Sequence, residues 1–140
     1  MGYKIFRKIN QLLPLLFLIS VGSSQNLSEV IETYENGNVK KITHHKKTRN
    51  NIEMVKQEMY FENGQKEEEL NFKNGKENGL FRSWFENGQM ELEGAYADGM
   101  PFGKFTVWWD NGKKRAVGTA KNGKEITEQE WNRDGTVKNP

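Results

Sequence analysis

WFENGQMELEGAYADG, residues Trp84–Gly99, holds two turns and the strand between them, and close variants of it occur on either side. FENGQ stands at Phe61–Gln65 and again at Phe85–Gln89, and WWDNGK (Trp108–Lys113) varies the phrase. Asn-Gly or Asp-Gly pairs end at Gly37, Gly64, Gly75, Gly88, Gly99, Gly112, Gly123 and Gly135. From Gly64 to Gly123 the intervals alternate between 11 and 13 residues, so the repeating unit is about 24 residues with two turns. Gly37 to Gly64 is 27 residues, which places an extra stretch in the first unit, at Lys46–Asn51.

Asn-Gly and Asp-Gly suit tight hairpin turns because both tolerate positive φ. Gly64, Gly75, Gly88, Gly99, Gly112 and Gly123 are therefore read as structural turn glycines. The segments between them show a two-residue period. In Met90–Tyr96, Met90, Leu92, Gly94 and Tyr96 alternate with Glu91, Glu93 and Ala95, the pattern of a half-buried strand. A two-residue turn at Asn87-Gly88 pairs Phe85 with Met90 and Phe81 with Gly94. That register gathers Phe81, Phe85, Met90, Leu92 and Tyr96 on one face. It also sets Gly94 beside Phe81, and Gly118 beside Phe105, where a ring gains room. The expected fold is all-β: an elongated single-layer antiparallel meander of stacked hairpins.

Length and composition agree with one thin domain. The chain has 140 residues, 34% hydrophobic, no cysteine and a mean hydropathy of −0.89. Disulfides and thiolate metal sites are excluded. Met1–Ser24 reads as a secretory signal peptide: Lys4, Arg7 and Lys8 precede the apolar Leu12–Val21, and Gly22-Ser23-Ser24 supplies small residues for cleavage. Ten apolar helical residues cover only ~15 Å of a ~30 Å bilayer core, and Pro14 interrupts them; an uncleaved anchor and a buried helix are the alternatives. Residues 1–24 carry three basic groups and no acid, so the remainder has 18 basic against 19 acidic groups, net −1. That balance does not support broad affinity for nucleic acid or anionic lipid. The expected location is outside the cytoplasm, periplasmic or secreted, with no stable membrane span after cleavage.

Three segments, YFENGQKEEELNFKNGKENG (Tyr60–Gly79), WFENGQMELEGAYADGMPFG (Trp84–Gly103) and WWDNGKKRAVGTAKNGK (Trp108–Lys124), resemble the bacterial variant of the MORN repeat. The pattern is an aromatic pair, E/D-N-G, an alternating strand, a second N-G or D-G, and a glycine four positions on. Gly79 and Gly103 fill the last place, while Thr127 does not. The resemblance implies units near residues 60–83, 84–107 and 108–131 within a repeat region 60–135, a degenerate first repeat and loop at 25–59, and a tail at 136–140. It also implies an elongated, single-layer stack of hairpins, and a single layer offers no deep cleft for catalysis, so an enzyme is not expected. Many proteins with this repeat are labelled YwqK-type antitoxins, which implies a toxin as one class of protein partner.

Tyr60, Trp84, Trp108 and Trp131 share one repeat position and form the candidate binding ladder, with Arg82 beside it. Rings two strands apart lie about 10 Å from each other. Such a row suits a partner's side chains, a peptide strand or a glycan, and it also suits simple packing on cross-strand neighbours. The basic run Lys40–Arg49 reads as a solvated, irregular loop. His44 and His45, adjacent on an extended chain, point apart and make no common metal site. Residues 25–140 hold two serines, Ser28 and Ser83, in no nucleophile motif. No catalytic residue, metal or cofactor is expected. At the sheet edges, the polar Glu125–Pro140 reads as a cap, and Asn26–Tyr34 as the less protected end.

Overall fold

A computed structural model describes residues 17–21 and 24–138, and the side chains of residues 25–138. The strands are β1 (Phe17–Val21), β2 (Ser24–Thr33), β3 (Val39–Lys47), β4 (Ile52–Tyr60), β5 (Lys66–Lys73), β6 (Lys76–Trp84), β7 (Met90–Ala97), β8 (Met100–Pro101), β9 (Gly103–Trp108), β10 (Lys114–Lys121) and β11 (Lys124–Glu130). They form one antiparallel sheet in chain order, with the short β8 set beside β7. No second layer covers either face among the described residues. Ala120 is the buried apolar residue, joined by the polar Thr43 and Glu58. The fold is the all-β hairpin meander expected from the turn spacing.

Two turn chemistries alternate along the chain. At Asn74-Gly75, Asp98-Gly99 and Asn122-Gly123 both residues have positive φ, 52° for each first residue and 73–85° for each glycine. These are two-residue hairpin turns. The E/D-N-G turns differ, and here the expected two-residue loop is corrected. Phe85 N–H donates to Gln89 O at 2.8 Å and Gly88 N–H to Phe85 O at 2.8 Å, enclosing a three-residue loop. Gly88 is left-handed at φ 82°, while Asn87 is absent from the positive-φ residues. The same pair of bonds closes the turns at Tyr34, Phe61, Trp109 and Asn132.

A three-residue loop shifts the register by one, and the structure takes the shift back at once. Trp84 faces Met90 but Ser83 faces Leu92, leaving Glu91 as a bulge; from there Arg82 faces Glu93 and Phe81 faces Gly94. Met90 therefore leaves the expected face and joins Trp84. Phe81, Leu92 and Tyr96 remain together, with the Phe81 and Tyr96 rings edge to face at 5.8 Å. Matching shifts free Glu67 beside Tyr60 and Arg115 beside Trp108. Phe105 faces Gly118 as expected.

Asparagine ties the E/D-N-G turns into a ladder. Asn87 Oδ1 accepts from Gln89 N–H at 3.0 Å, and its Nδ2 donates to Asp110 O, in the next such turn, at 2.7 Å. Asn63 reaches Glu86 O at 3.0 Å and Asn111 reaches Arg133 O at 2.9 Å. The last turn has Asp134, which accepts from Thr136 N–H at 2.8 Å but has no amide to donate.

The first unit is more regular than expected. The basic run is strand β3, hydrogen-bonded on both sides by β2 and β4, and Thr48–Asn51 makes the longer turn. Of the residues read as a leader, Phe17–Val21 form β1, paired with β2 from Phe17↔Ser28 to Val21↔Ser24; residues 1–16 and 22–23 lie outside the described residues. β1 thus lies beside the N-terminal part of β2, which had been expected to be the open edge. At the other end β11 is the outer strand, and Trp131 bridges to Val137.

Candidate functional site

The ladder position falls on the face that the bulges assign to Trp84 and Arg82. Tyr60 pairs with Lys66, Trp84 with Met90, and Trp108 with Lys114. Each aromatic is half-buried, and each lies two strands from the next, with one strand between them. Trp131, at the same repeat position, pairs with Val137 but lines a groove of the other sheet face beside Phe105 and Trp109, and its carbonyl accepts a hydrogen bond from Trp109 Nε1 at 3.2 Å. Arg82 sits two residues before Trp84, and its Nε donates to Glu93 Oε2 at 2.8 Å. Glu91, which strict alternation from Met90 would set on the face opposite Phe81, is carried by its bulge to the Phe81 face, where it accepts from Ser83 Oγ at 3.2 Å.

An ionic row crosses this ladder face, with Glu58 at its centre. Ser28 Oγ lies 2.8 Å from His44 Nδ1, and His44 Nε2 lies 2.8 Å from Glu58 Oε2. Lys66 Nζ reaches Glu58 Oε1 at 2.6 Å and Glu69 Oε2 at 2.9 Å; Lys56 reaches the same two carboxylates at 3.0 Å each. Tyr60 donates to Glu58 Oε2 at 3.3 Å, and Lys66 lies 5.6 Å from the centre of the Trp84 ring. Burial opposes the charge on Glu58, but hydrogen bonds from Lys66, His44 and Lys56 outweigh it and hold its carboxyl down at about 2. Burial likewise opposes the ammonium charges, yet the bonds to Glu58 and Glu69 raise both Lys56 and Lys66 above the ordinary lysine range. Burial and the nearby Glu58 carboxylate push the Tyr60 hydroxyl up. Fixed donors surrounding a carboxylate favour its charged form in this way.

This row was not foreseen from residue types alone. His44 lies 14 residues before Glu58 and Lys66 eight after it, so only the cross-strand register joins them. The available signal was parity, since Lys56, Glu58 and Tyr60 alternate along β4 on the side chosen by Tyr60. His45 pairs with Met54 and takes no part.

The opposite face is apolar at its centre. Phe81, Leu92, Tyr96, Pro101, Phe102 and Phe105 line a depression of about 110 Å³. Beside it, Phe61, Phe81 and Phe85 share a groove of about 450 Å³ with Glu67, Glu68 and Glu91. Towards the C-terminal end, Phe105, Val107, Trp109 and Trp131 line a groove of about 580 Å³, where the Arg115 guanidinium lies 4.8 Å from the centre of the Trp109 ring. Phe102, Met100 and Ile126 are all more than half exposed, at 57%, 51% and 57%. Among the described residues no three His, Asp or Glu side chains are grouped to hold a metal ion, and no helix is long and apolar enough to cross a membrane.

Comparison with known families finds the MORN repeat variant at residues 55–74 and 77–98. These segments span β4–β5 and β6–β7 with the turns that join them. No curated protein matches the chain.

Proposed function

The chain is a MORN-variant repeat protein, and on that premise we propose that it is a non-catalytic protein-interaction module, exported to the periplasm or beyond. The observation that carries this reading is that the described residues form a single sheet with no second layer over either face. Among the described residues the buried apolar side chain is that of an alanine, Ala120, so Phe81, Trp84, Tyr96 and Phe105 are only half-buried on two broad faces. Extended apolar surface rimmed by polar groups is a mark of protein interfaces. Shallow faces also suit a partner's surface better than a small substrate, which needs a concave site. Ser28, His44 and Glu58 have the residue types of an acyl-transfer relay. Glu58, however, is already committed to two lysines, and the row lies on an open sheet face.

A toxin masked by this chain is the narrower form of the same reading. A cell-envelope glycan held on the aromatic ladder is the rival, favoured by retention on polysaccharide that Trp84→Ala abolishes. The test is recovery of the tagged chain from its own cells. The expected product begins after Ser23 or Ser24, lies outside the cytoplasm, and carries a protein partner at fixed stoichiometry. If the ladder makes the contact, Trp84→Ala or Trp108→Ala weakens capture while the β-sheet circular dichroism is kept. A chain that keeps residues 1–24, stays in the cytoplasm and runs alone at all concentrations sinks the proposal.

A further inference from the structure

The two faces treat their carboxylates differently. At the middle of the ladder face Glu58, Glu69 and Glu93 each have a basic partner within 3.0 Å, while Glu128 at its C-terminal end accepts from Thr119 Oγ1 at 2.6 Å. On the opposite face Glu67, Glu68, Glu77, Glu91 and Glu125 have no basic group within 4.0 Å among the described residues. Pairing places them there: Glu68 faces Ser83, Glu77 faces Phe72, and Glu125 faces Ala120. They surround the half-buried Phe81, Tyr96 and Phe105. At the C-terminal end of this surface Lys138 is held by Glu130 and Arg115 lies over Trp109, and towards the N-terminal end Lys41 pairs with Met59, the residue opposite Glu68.

We propose that this opposite face docks a basic amphipathic segment of a protein partner, with apolar side chains on Phe81, Leu92, Tyr96 and Phe105 and lysines or arginines among the five unpaired glutamates. The proposal rests on the interaction reading above and adds the face and the partner's chemistry. A cation entering between Glu67, Glu68 and Glu91 also meets the Phe61, Phe81 and Phe85 rings, whose faces attract positive charge. The titration of the surface is consistent with uncompensated negative charge. Burial raises the Tyr96 hydroxyl, and Glu125, Glu77 and Glu68 raise it further. Burial and then Glu67 raise Glu68. A partner's lysine would relieve both, whereas the ladder face already supplies its own cations.

The test is a fluorescence titration of the full chain with a short peptide of alternating lysine and leucine, beside analogues bearing Gln or Glu in place of Lys. The lysine peptide should bind best, and its affinity should fall as salt is raised. Glu68→Gln/Glu91→Gln/Glu125→Gln should weaken it about tenfold, the loss expected for three screened ion pairs. Glu35→Gln/Glu62→Gln/Asp98→Asn removes equal charge at exposed turns and should leave binding unchanged. Equal binding of the Gln or Glu analogues, or equal loss in both triple variants, overturns the proposal. Self-association through this face would overturn it too, since the occupant would be a second copy. A native partner kept by the first triple variant but lost from Trp84→Ala leaves the interaction module standing and removes the face assignment.

Discussion

A methyl group at Gly118 would run into the Ile126 carbonyl and come within 2.5 Å of Phe105 Cζ. The backbone cannot yield without moving β11, so Gly118→Ala is expected to cost about 2 kcal/mol, the range of overpacking a tight site. Gly94 makes the contrast. Its added Cβ would lie 3.5 Å from Phe105 Cβ, an ordinary contact, and Gly94→Ala should cost well under half as much. Urea midpoints of the two variants decide it, and equal shifts would mean that the ring and β11 move freely. Both pairings, Phe81 with Gly94 and Phe105 with Gly118, follow from alternation plus turn position. The closeness of Ile126 does not, because β10 and β11 slip by one residue between Val117 and Gly118. Thr127 stands there in place of the glycine that the earlier units use, at Gly79 and Gly103, with φ of 103° and 78°.

At the scale of the element, Asn-Gly does two different jobs. In Asn74-Gly75 the asparagine itself is left-handed. In Glu86-Asn87-Gly88 it is a hydrogen-bonding device, holding its own turn and the next one. Asn87→Ala removes both bonds and should cost about 1–2 kcal/mol. Asn87→Asp keeps the acceptor for Gln89 N–H and loses only the donor to Asp110 O, so it should cost about half. Asp134→Asn should be neutral, because no later turn among the described residues offers a carbonyl. Thermal unfolding of the three variants tests this order; an Asn87→Asp loss as small as that of Asp134→Asn would show that the cross-turn bond adds nothing. The dipeptide marks a turn in either case. Its type does not follow from the dipeptide, since Asn74-Gly75 closes a two-residue turn and Asn87-Gly88 a three-residue one.

At the scale of the whole sheet, the described residues have no second layer and rely on lateral ties, among them the Glu58 row, which links β2 to β5. The Glu58 carboxyl is held below its unfolded value, so its contribution is fully present above pH ~4.5 and is lost as pH falls towards about 2. The contribution is on the order of 3 kcal/mol. Glu58→Gln should lower stability at neutral pH and flatten its decline between those limits, as read from urea midpoints against pH; an unchanged slope would place the acid sensitivity elsewhere. The repeat period, the turn sites and the alternation of the strands were determined by the sequence alone. Glycine's tolerance of positive φ and the two-residue period of a strand act within a few residues, and the common face of Tyr60, Trp84 and Trp108 could be read from them. The tertiary structure alone decided the type of each turn, the bulges that send Met90 and Glu91 to opposite faces, and which carboxylates meet a lysine. A one-residue slip exchanges the faces of a strand, so the neutralised ladder face and the unpaired glutamates opposite it exist only once every register is set.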